Sequence, residues 1–394
     1  MNTIRYPLVL GAAIGLLAAC GDTGKNAAAA IPAATQDTPA ATAGDTRFAT
    51  TELARFDSPW AMTFLPDGRL LVTEMGGTLK LFDPASGSTG TVTGVPPVVH
   101  RGQGGLGDVV LHPQYADNHL VYISYVEAGE GGTGSAVARA KLALDDTGGG
   151  ALEGLEVIWR QVPKMGGNGH FGQRIAFGPD GKLFISSSER QEFDPAQDMA
   201  MNLGKIVRLD DDGSVPGDNP FGGDGGVAAQ VWTLGHRNPL GIAFDGDGRL
   251  WAIEMGPRGG DELNLIVRGR NYGWPEVSNG DHYGGGDIAD HSTSSKYEPP
   301  KLDWTPVIAP AGLLAYSGAV FPEWRGDLLA PGLASEALVR IEIEGERARE
   351  AARYPMERRM RAIAQGPDGE IYLLEDGDGG RLLRLDDPSS RPDA

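Results

Sequence analysis

One short pattern of apolar and polar residues recurs along the chain from about residue 46 onward. Each copy is an apolar run, a turn rich in Pro, Asp and Gly, and a second apolar run. Pro suits the second position of a type I turn, Asp is tolerated at the third and Gly is favoured at the fourth. The flanking runs are β-branched or aromatic, as strands prefer. Each copy therefore predicts a β-hairpin. The clear copies are residues 62–74, 175–185, 242–253 and 363–374, and the looser ones are 109–125 and 316–329.

The repetition of this hairpin predicts an all-β fold. The turn positions lie between 45 and 76 residues apart, which leaves room for about four strands in each repeat. Such repeats are typical of propeller blades, so the sequence predicts a six-bladed β-propeller of four-stranded antiparallel blades. Two further segments with strand character, 48–56 and 381–385, are expected to share the last blade and close the ring. The turn positions are Pro66, Pro113, Pro179, Gly246, Pro322 and Pro367.

The first twenty residues have the pattern of a secretory signal. An apolar run over residues 6–19 follows Arg5 and is too short to cross a bilayer. It ends in Leu-Ala-Ala-Cys at Cys20, which resembles a bacterial lipoprotein signal; the alternative is an ordinary signal peptide cut near Ala19. Cys20 is the one cysteine of the chain, so it forms no intramolecular disulfide. The lipoprotein interpretation predicts lipid on Cys20, and Gly21 after it indicates the periplasmic side of the outer membrane.

Composition divides the rest of the chain. Residues 21–45 are rich in Ala, Thr and Pro and are expected to be a disordered tether. The propeller is predicted over residues 46–388, followed by a short tail at 389–394. The formal net charge of −19 argues against a nucleic-acid partner, because neutralising phosphates requires a basic surface. Membrane contact is expected only through the lipid anchor.

Polar residues concentrate next to the predicted hairpins, where a propeller would gather them at one mouth of its channel. His170, between glycines in residues 166–174, is a candidate general base; the alternative is a structural or exposed histidine. Gln103 lies in a glycine-rich stretch that suits close approach to a flat ligand, or that is merely a flexible turn. Arg237 offers a fork of donors for carboxylate or quinone oxygens, unless it forms a structural ion pair. Asn238, next to it, adds a neutral donor and acceptor.

Two other flanks suggest ligand contacts. The carbonyl groups around Gly256 and Pro257 suit a hard cation such as Ca²⁺. Arg359 and Arg361 point the same way on a strand and could clamp an anionic ligand; a solvated edge is the alternative. The sequence has no zinc-type Cys/His cluster, no Gly-x-Ser-x-Gly elbow and no dinucleotide fingerprint.

Three longer motifs match a family: residues 211–221, 233–244 and 264–275. Together they resemble the glucose/sorbosone dehydrogenase family, and within it the aldose sugar dehydrogenases that depend on pyrroloquinoline quinone (PQQ). The likeness covers about residues 50–386 in consistent order. It implies a six-bladed propeller that binds PQQ and Ca²⁺ at the channel mouth. The implied reaction oxidises aldoses at C1 to lactones and passes electrons to an external acceptor, a quinone or a cytochrome.

The resemblance also implies catalytic roles. His170 matches the family's general base, which takes the proton of the anomeric hydroxyl while hydride leaves C1. Gln103 matches a residue that supports this base. Arg237 matches the arginine near the quinone oxygens, where it stabilises developing negative charge and binds the cofactor.

The remaining implied roles concern binding. Asn238, Arg359 and Arg361 match cofactor-binding positions. Gly256 and Pro257 match the positions whose main-chain oxygens hold the metal.

Three positions depart from the pattern. Some relatives carry a cofactor-binding Lys where this chain has Ala334, and some carry Asp where it has Gly169. Glu189, in Ser-Glu-Arg, stands where relatives often show Gly-Asp-Arg or Gly-Asp-Gln. The first two departures favour an alternative, a non-catalytic propeller that binds a glycan or a protein partner. A Ca²⁺-dependent lactonase is a third possibility, which the carbonyl-based cation site argues against.

Overall fold

The computed structural model describes residues 48–387, and their regular secondary structure is nearly all β-strand. The predicted signal sequence (1–20) with Cys20, the predicted tether (21–45) and the predicted tail (389–394) lie outside the described residues. No helix within residues 48–387 has the length and apolar character needed to cross a bilayer.

The strands follow one another with short connections. The first nine are β1 (Ala49–Asp57), β2 (Pro59–Phe64), β3 (Leu70–Glu74), β4 (Thr78–Asp83), β5 (Ser88–Thr93), β6 (Leu106–Leu111), β7 (Leu120–Gly129), β8 (Gly132–Leu144) and β9 (Gly150–Arg160). The next eight are β10 (Gly172–Phe177), β11 (Leu183–Ser187), β12 (Lys205–Leu209), β13 (Val231–Leu234), β14 (Pro239–Phe244), β15 (Leu250–Glu254), β16 (Asp261–Ile266) and β17 (Leu302–Trp304). The last seven are β18 (Leu314–Ala315), β19 (Leu328–Gly332), β20 (Ala337–Glu344), β21 (Arg347–Pro355), β22 (Met360–Gln365), β23 (Ile371–Glu375) and β24 (Asp378–Asp386).

Helical segments are short. One helical turn, α1 (Tyr115–Asn118), connects β6 to β7. The 3₁₀ turns are Asp194–Ala196, Gly222–Asp224, Ala228–Gln230, His291–Thr293 and Pro322–Trp324.

The strands associate in antiparallel groups of four, consistent with a β-propeller. Three sheets are β10–β13, β14–β17 and β18–β21, each in chain order. An eight-stranded sheet contains β2–β5 and β6–β9, joined by a short parallel pairing of β5 with β9 at Val92 and Gly150. In the remaining sheet β1 pairs with β24, next to β23 and β22. The prediction that the first and last strands share a sheet is confirmed.

The predicted hairpins are present as antiparallel pairs. In the turn between β2 and β3, the Gly68 N–H donates to the Leu65 carbonyl at 3.0 Å, and Gly68 has φ 89°. Only glycine adopts that φ without strain. The looser prediction over residues 316–329 is shifted, because β18 ends at Ala315. The chain beyond it forms a 3₁₀ turn that buries Trp324 instead of continuing as strand.

Apolar side chains fill the space between neighbouring four-stranded groups. One cluster joins Trp251 and Leu263 of the β14–β17 sheet to Leu328 and Val339 of the β18–β21 sheet. Another joins Met62 of β2 to residues of the sheet formed by β1, β22, β23 and β24. The core is therefore a series of apolar interfaces between sheets. The polar residues at the strand ends lie outside these interfaces.

The first strands of several groups meet at one buried cation, Arg174 of β10. Its guanidinium donates to the carbonyls of Leu240 (2.7 Å) and Ala311, and lies 3.4 Å from the Asp108 carboxylate. It also lies 3.9 Å above the ring of Trp60. Burial lowers the pKa of Arg174, opposed by Asp108; burial raises the pKa of Asp108, opposed by Arg174. One side chain thus connects segments of five sheet groups or their loops.

We expect Arg174→Leu to lower the free energy of unfolding by about 3–5 kcal/mol, because it leaves Asp108 as an unpaired buried carboxylate. Urea denaturation followed by circular dichroism measures the change. Arg349→Leu, which removes an exposed arginine paired with Glu342, is the control and is expected to cost less than about 1 kcal/mol. Equal losses in the two variants would contradict the role of Arg174.

Candidate active site

Two neighbouring cavities contain most of the predicted site residues. The larger measures about 460 Å³ and is lined by Gln103, Arg359 and Arg361, among others. The smaller measures about 190 Å³ and is lined by His170, Arg237, Pro257, Glu189, Gln191, Phe193, His282, Tyr283 and Gly284. The larger cavity combines apolar walls with the charged side chains of Arg359, Arg361 and Asp376. The smaller one is lined by both ionisable and aromatic side chains.

His170 is held from two sides in a buried position. Its Nδ1 lies 2.5 Å from Oε1 of Glu189, and its backbone N–H donates to Oε1 of Gln103 at 2.7 Å. His170 has φ 49°, a left-handed conformation that few side-chain-bearing residues adopt. Burial lowers the pKa of His170, and the hydrogen bond that Nδ1 donates to the Glu189 carboxylate partly opposes this effect. The imidazole is therefore neutral near pH 7, with Nε2 free to act.

Glu189 is a candidate functional residue whose contact with His170 the sequence did not reveal. It is fully buried beyond the end of β11, and its second oxygen accepts the backbone N–H groups of Glu192 (2.7 Å) and Phe193 (3.2 Å). A carboxylate so supplied with donors fixes the tautomer and the orientation of the histidine it contacts. One feature of the sequence could have indicated this role. His170 precedes β10, β11 pairs with β10, and Glu189 is an acid just after β11.

Arg190 fixes the loop that carries His170. Its buried guanidinium donates to the carbonyls of Gly169 (2.9 Å), Thr133 (2.6 Å) and Gly167 (2.9 Å). A Cβ at position 169 would meet the amide end of the Gln191 side chain, which is exposed and can move aside. The side chain that contacts Nδ1 of His170 is that of Glu189, so Glu189 orients the imidazole.

Arg237 is anchored through both its backbone and its side chain. Its backbone N–H donates to Oε2 of Glu254 at 2.7 Å, while the other oxygen of Glu254 lies 2.9 Å from Nδ1 of His236. Its Nη1 donates to the carbonyls of Met255 (2.8 Å) and Gly256 (2.6 Å). Its Nε is buried and has no hydrogen-bond partner among the residues that the structure describes.

The Gly256 backbone is fixed by a buried acid. Its N–H donates to Oδ1 of Asp261 at 2.9 Å. A Cβ at position 256 would lie 2.1 Å from the Gly260 carbonyl oxygen, so only glycine fits. Burial raises the pKa of Asp261 to about 6. Within residues 48–387 no three His, Cys, Asp or Glu side chains form a metal-binding group. A cation here would therefore rely on carbonyl oxygens.

Asn238 lines neither of the two cavities. Its Oδ1 accepts a hydrogen bond from the hydroxyl of Ser188 at 2.8 Å, and its Nδ2 is buried with no partner within residues 48–387. The side chain therefore contacts the segment leading to Glu189 and keeps an unused donor.

Arg359 and Arg361 share one carboxylate at the larger cavity. Asp376 accepts from Arg359 at 2.8 Å and from Nε of Arg361 at 2.7 Å. Burial opposes ionisation of Asp376, but the two arginines outweigh it and hold its pKa below its usual range. Two cations and one anion leave a net positive charge for an anionic ligand.

The family-model comparison identifies this chain over nearly its whole described length. Residues 56–384 match the model of the glucose/sorbosone dehydrogenases. The chain belongs to the glucose/sorbosone dehydrogenase family. The resemblance predicted from the sequence is confirmed.

Members of this family with known names or structures align along most of the chain. An aldose sugar dehydrogenase of Escherichia coli, YliI, is 38% identical over 338 residues, which is 84% of this chain and 90% of that protein. The apo crystal structure of the soluble E. coli aldose sugar dehydrogenase superposes with a TM-score of 0.82 at 36% identity, covering 86% of this chain and 99% of that one. The PQQ-bound aldose sugar dehydrogenase of Streptomyces coelicolor superposes with a TM-score of 0.72 at 31% identity, covering 86% and 98%.

Ala334, at the position where some family members carry Lys, is exposed, whereas its neighbour Leu333 is buried and lines the larger cavity. The backbone N–H of Ala334 donates to the Ile308 carbonyl at 3.0 Å. At this part of the cavity wall the chain therefore presents the apolar side chain of Leu333. The positive charge of the cavity comes from Arg359 and Arg361.

We expect Glu189→Gln to lower the pKa of His170 further, because the carboxylate raises it against the effect of burial. The imidazole resonances followed by NMR as pH falls measure this change. Glu192→Gln removes a nearby charge that is exposed and does not contact the ring, and it should leave the titration in place. A shift of equal size in both variants would count against the hydrogen bond as its cause.

Proposed function

We propose that this protein is a PQQ- and Ca²⁺-dependent aldose dehydrogenase that oxidises sugars at C1 to lactones and delivers the electrons to an external acceptor. The observation that carries the proposal is the buried His170–Glu189 pair on the wall of a cavity shared with Arg237. A neutral, oriented imidazole is what abstraction of a hydroxyl proton requires. Family membership, with relatives named aldose sugar dehydrogenase, supplies the reaction class.

We infer that the four-stranded groups are the six blades of a propeller. Counting each half of the eight-stranded sheet as one blade, the described strands give six groups of four. The pairing of β1 with β24 joins the two ends of the domain, as a closed ring requires. In such a ring the loops of all blades can contribute to one site.

The larger cavity has the chemistry to hold PQQ, a flat aromatic molecule with three carboxylates. Its walls combine flat or apolar side chains with glycines, and Arg359 and Arg361 supply positive charge. Arg237 lines the adjoining smaller cavity, and its Nε is a buried donor with no hydrogen-bond partner among residues 48–387, which suits an acceptor-rich ligand nearby. The apolar and glycine lining residues are Trp60, Met75, Phe171, Leu240, Met255, Gly102 and Gly172.

When bound, PQQ supplies the hydride acceptor and Ca²⁺ supplies Lewis-acid polarisation of the quinone. The residues that would hold Ca²⁺ are Gly256 and Pro257, through their carbonyl oxygens. The fit for a cation rests on Gly256, whose carbonyl already converges with that of Met255 on the positively charged Nη1 of Arg237.

His170 performs the proton transfer in this proposal. Its Nε2 accepts the proton of the anomeric hydroxyl as hydride leaves C1. Glu189 keeps the proton on Nδ1 and stabilises the imidazolium that forms. Gln103 holds the backbone of His170 in place. Arg237, in the same cavity, stabilises negative charge that develops on the acceptor oxygens.

Aromatic side chains at the smaller cavity suit a sugar. Phe193 and Tyr283 are 43% and 73% exposed, and the ring of His282 lies 6.0 Å from that of Phe193. Aromatic faces pack against the C–H face of a pyranose, while polar groups take its hydroxyls. The volume of about 190 Å³ limits the cavity to a small ligand.

The location remains part of the proposal. We infer a periplasmic enzyme anchored to the outer membrane by lipid on Cys20. The apolar run over residues 6–19 that ends at Cys20, followed by Gly21, supports this inference. The acceptor is then a quinone or a cytochrome reachable from that compartment.

The protein with residues 1–20 removed is expected to reduce a dye with aldoses only when both PQQ and Ca²⁺ are added. His170→Ala should lower kcat by about 10²–10⁴-fold, the usual contribution of a general base. Dye reduction followed by absorbance, with the lactone identified by mass spectrometry, measures both effects.

His119→Asn is the matched control for this experiment. His119 is exposed in a left-handed conformation at the end of α1, which Asn also tolerates. Reconstituted protein that neither takes up PQQ nor reduces the dye would refute the proposed function.

Tyr283→Ala should raise KM for the sugar about three- to tenfold with little change in kcat, because a stacked ring contributes about 0.5–1.5 kcal/mol to binding. Tyr283→Phe keeps the ring and should behave like the wild type. Steady-state kinetics on one aldose decide this point; an unchanged KM in Tyr283→Ala would exclude the tyrosine from the sugar site.

A further inference from the structure

The Arg237 side chain occupies a position built for a cation. Its Nη1 lies 2.8 Å from the Met255 carbonyl oxygen and 2.6 Å from that of Gly256. Two carbonyl oxygens that converge on one positive centre form the beginning of a hard-cation site. A second cation bound to the Gly256 oxygen would need nearly the same space, since Ca²⁺–oxygen distances are about 2.3–2.6 Å.

The carbonyls themselves are rigidly presented. Asp261 binds the Gly256 N–H, and no side chain larger than hydrogen fits at position 256. Backbone held this way does not move aside when its partner changes. Exchange at this site therefore has to involve the arginine side chain.

Arg237 is only half satisfied where it lies. Nη1 makes two hydrogen bonds, but Nε is buried and has no partner among residues 48–387, an arrangement that is unfavourable for a buried donor. The guanidinium also lies 5.2 Å from the centre of the Trp274 ring. Its backbone is anchored separately by Glu254, so the side chain can leave the carbonyls without moving the strand.

We propose that Arg237 acts as an exchangeable counter-cation: its guanidinium holds the Met255 and Gly256 carbonyls until a divalent cation binds the Gly256 carbonyl, and is then released into the cavity that contains His170. This inference rests on the proposed function. It couples two events, because the cation that completes the site also frees the arginine that stabilises charge in it. Coupling of this kind is reciprocal, so Arg237 in its present position weakens cation binding.

Calorimetric titration of CaCl₂ into the full chain, freed of PQQ and metal with a chelator, tests the competition. Arg237→Met removes the guanidinium and should bind Ca²⁺ about tenfold or more tightly than the wild type, since one charged hydrogen bond contributes about 1.5–3 kcal/mol. Arg359→Met is the matched control: it removes an equal charge from a residue bonded to Asp376 and should change affinity less than about threefold. Equal or weaker binding by Arg237→Met would overturn the proposal.

Trp274 provides a second readout that leaves Arg237 intact. Release of the guanidinium from its ring should change tryptophan emission when Ca²⁺ is added to the wild type, and the change should be lost in Trp274→Phe. Ca²⁺ binding with no such difference would also overturn the exchange. If Ca²⁺ does not bind the PQQ-free chain at all, the exchange is wrong, whereas dye reduction with PQQ and Ca²⁺ still decides the proposed function independently.

Discussion

A single buried charge organises the centre of this molecule. Arg174 donates hydrogen bonds to the carbonyls of Leu240 and Ala311. It also pairs with Asp108 and lies over the ring of Trp60. A buried guanidinium is tolerated only when its N–H donors have hydrogen-bond acceptors. The segments that supply those acceptors must therefore lie around Arg174. The positions of the inner strands, and hence of the loops that carry His170 and Arg237, depend on that requirement.

A second device recurs at the ends of hairpins. A carboxylate at or just beyond the end of a hairpin's second strand accepts a backbone N–H from a nearby segment. Glu74 and Glu375 do this in groups that meet where the chain closes. Glu254 and Glu189 do the same beside the cavities, and each also binds a histidine. The site therefore reuses a structural feature of the fold. At Glu189 the imidazole of His170 is added on the side that faces the smaller cavity.

The sequence predicted the hairpins well, because turn chemistry and strand preference act over about ten residues. It also placed β1 and β24 in one sheet and gathered His170, Gln103 and Arg237 near two adjoining cavities. It did not reveal Arg174 or the role of Glu189, since both depend on contacts between segments far apart in sequence. Nor could it show that Asn238 lines neither cavity or that Leu333 rather than Ala334 reaches the wall, because these residues lie just outside β14 and β19, where side-chain direction does not follow strand alternation.

The pairing of β1 with β24 has a consequence for how the chain is made. The hydroxyl of Thr51 bonds the carboxylate of Asp386 across 335 residues of sequence. During synthesis β1 therefore has no strand partner until β24 has been made. Contacts between residues so far apart in sequence form slowly. Closure of the last sheet is the step most exposed to misfolding. A circular permutant that joined the present ends and opened the loop between β9 and β10 would turn this pairing into a local one.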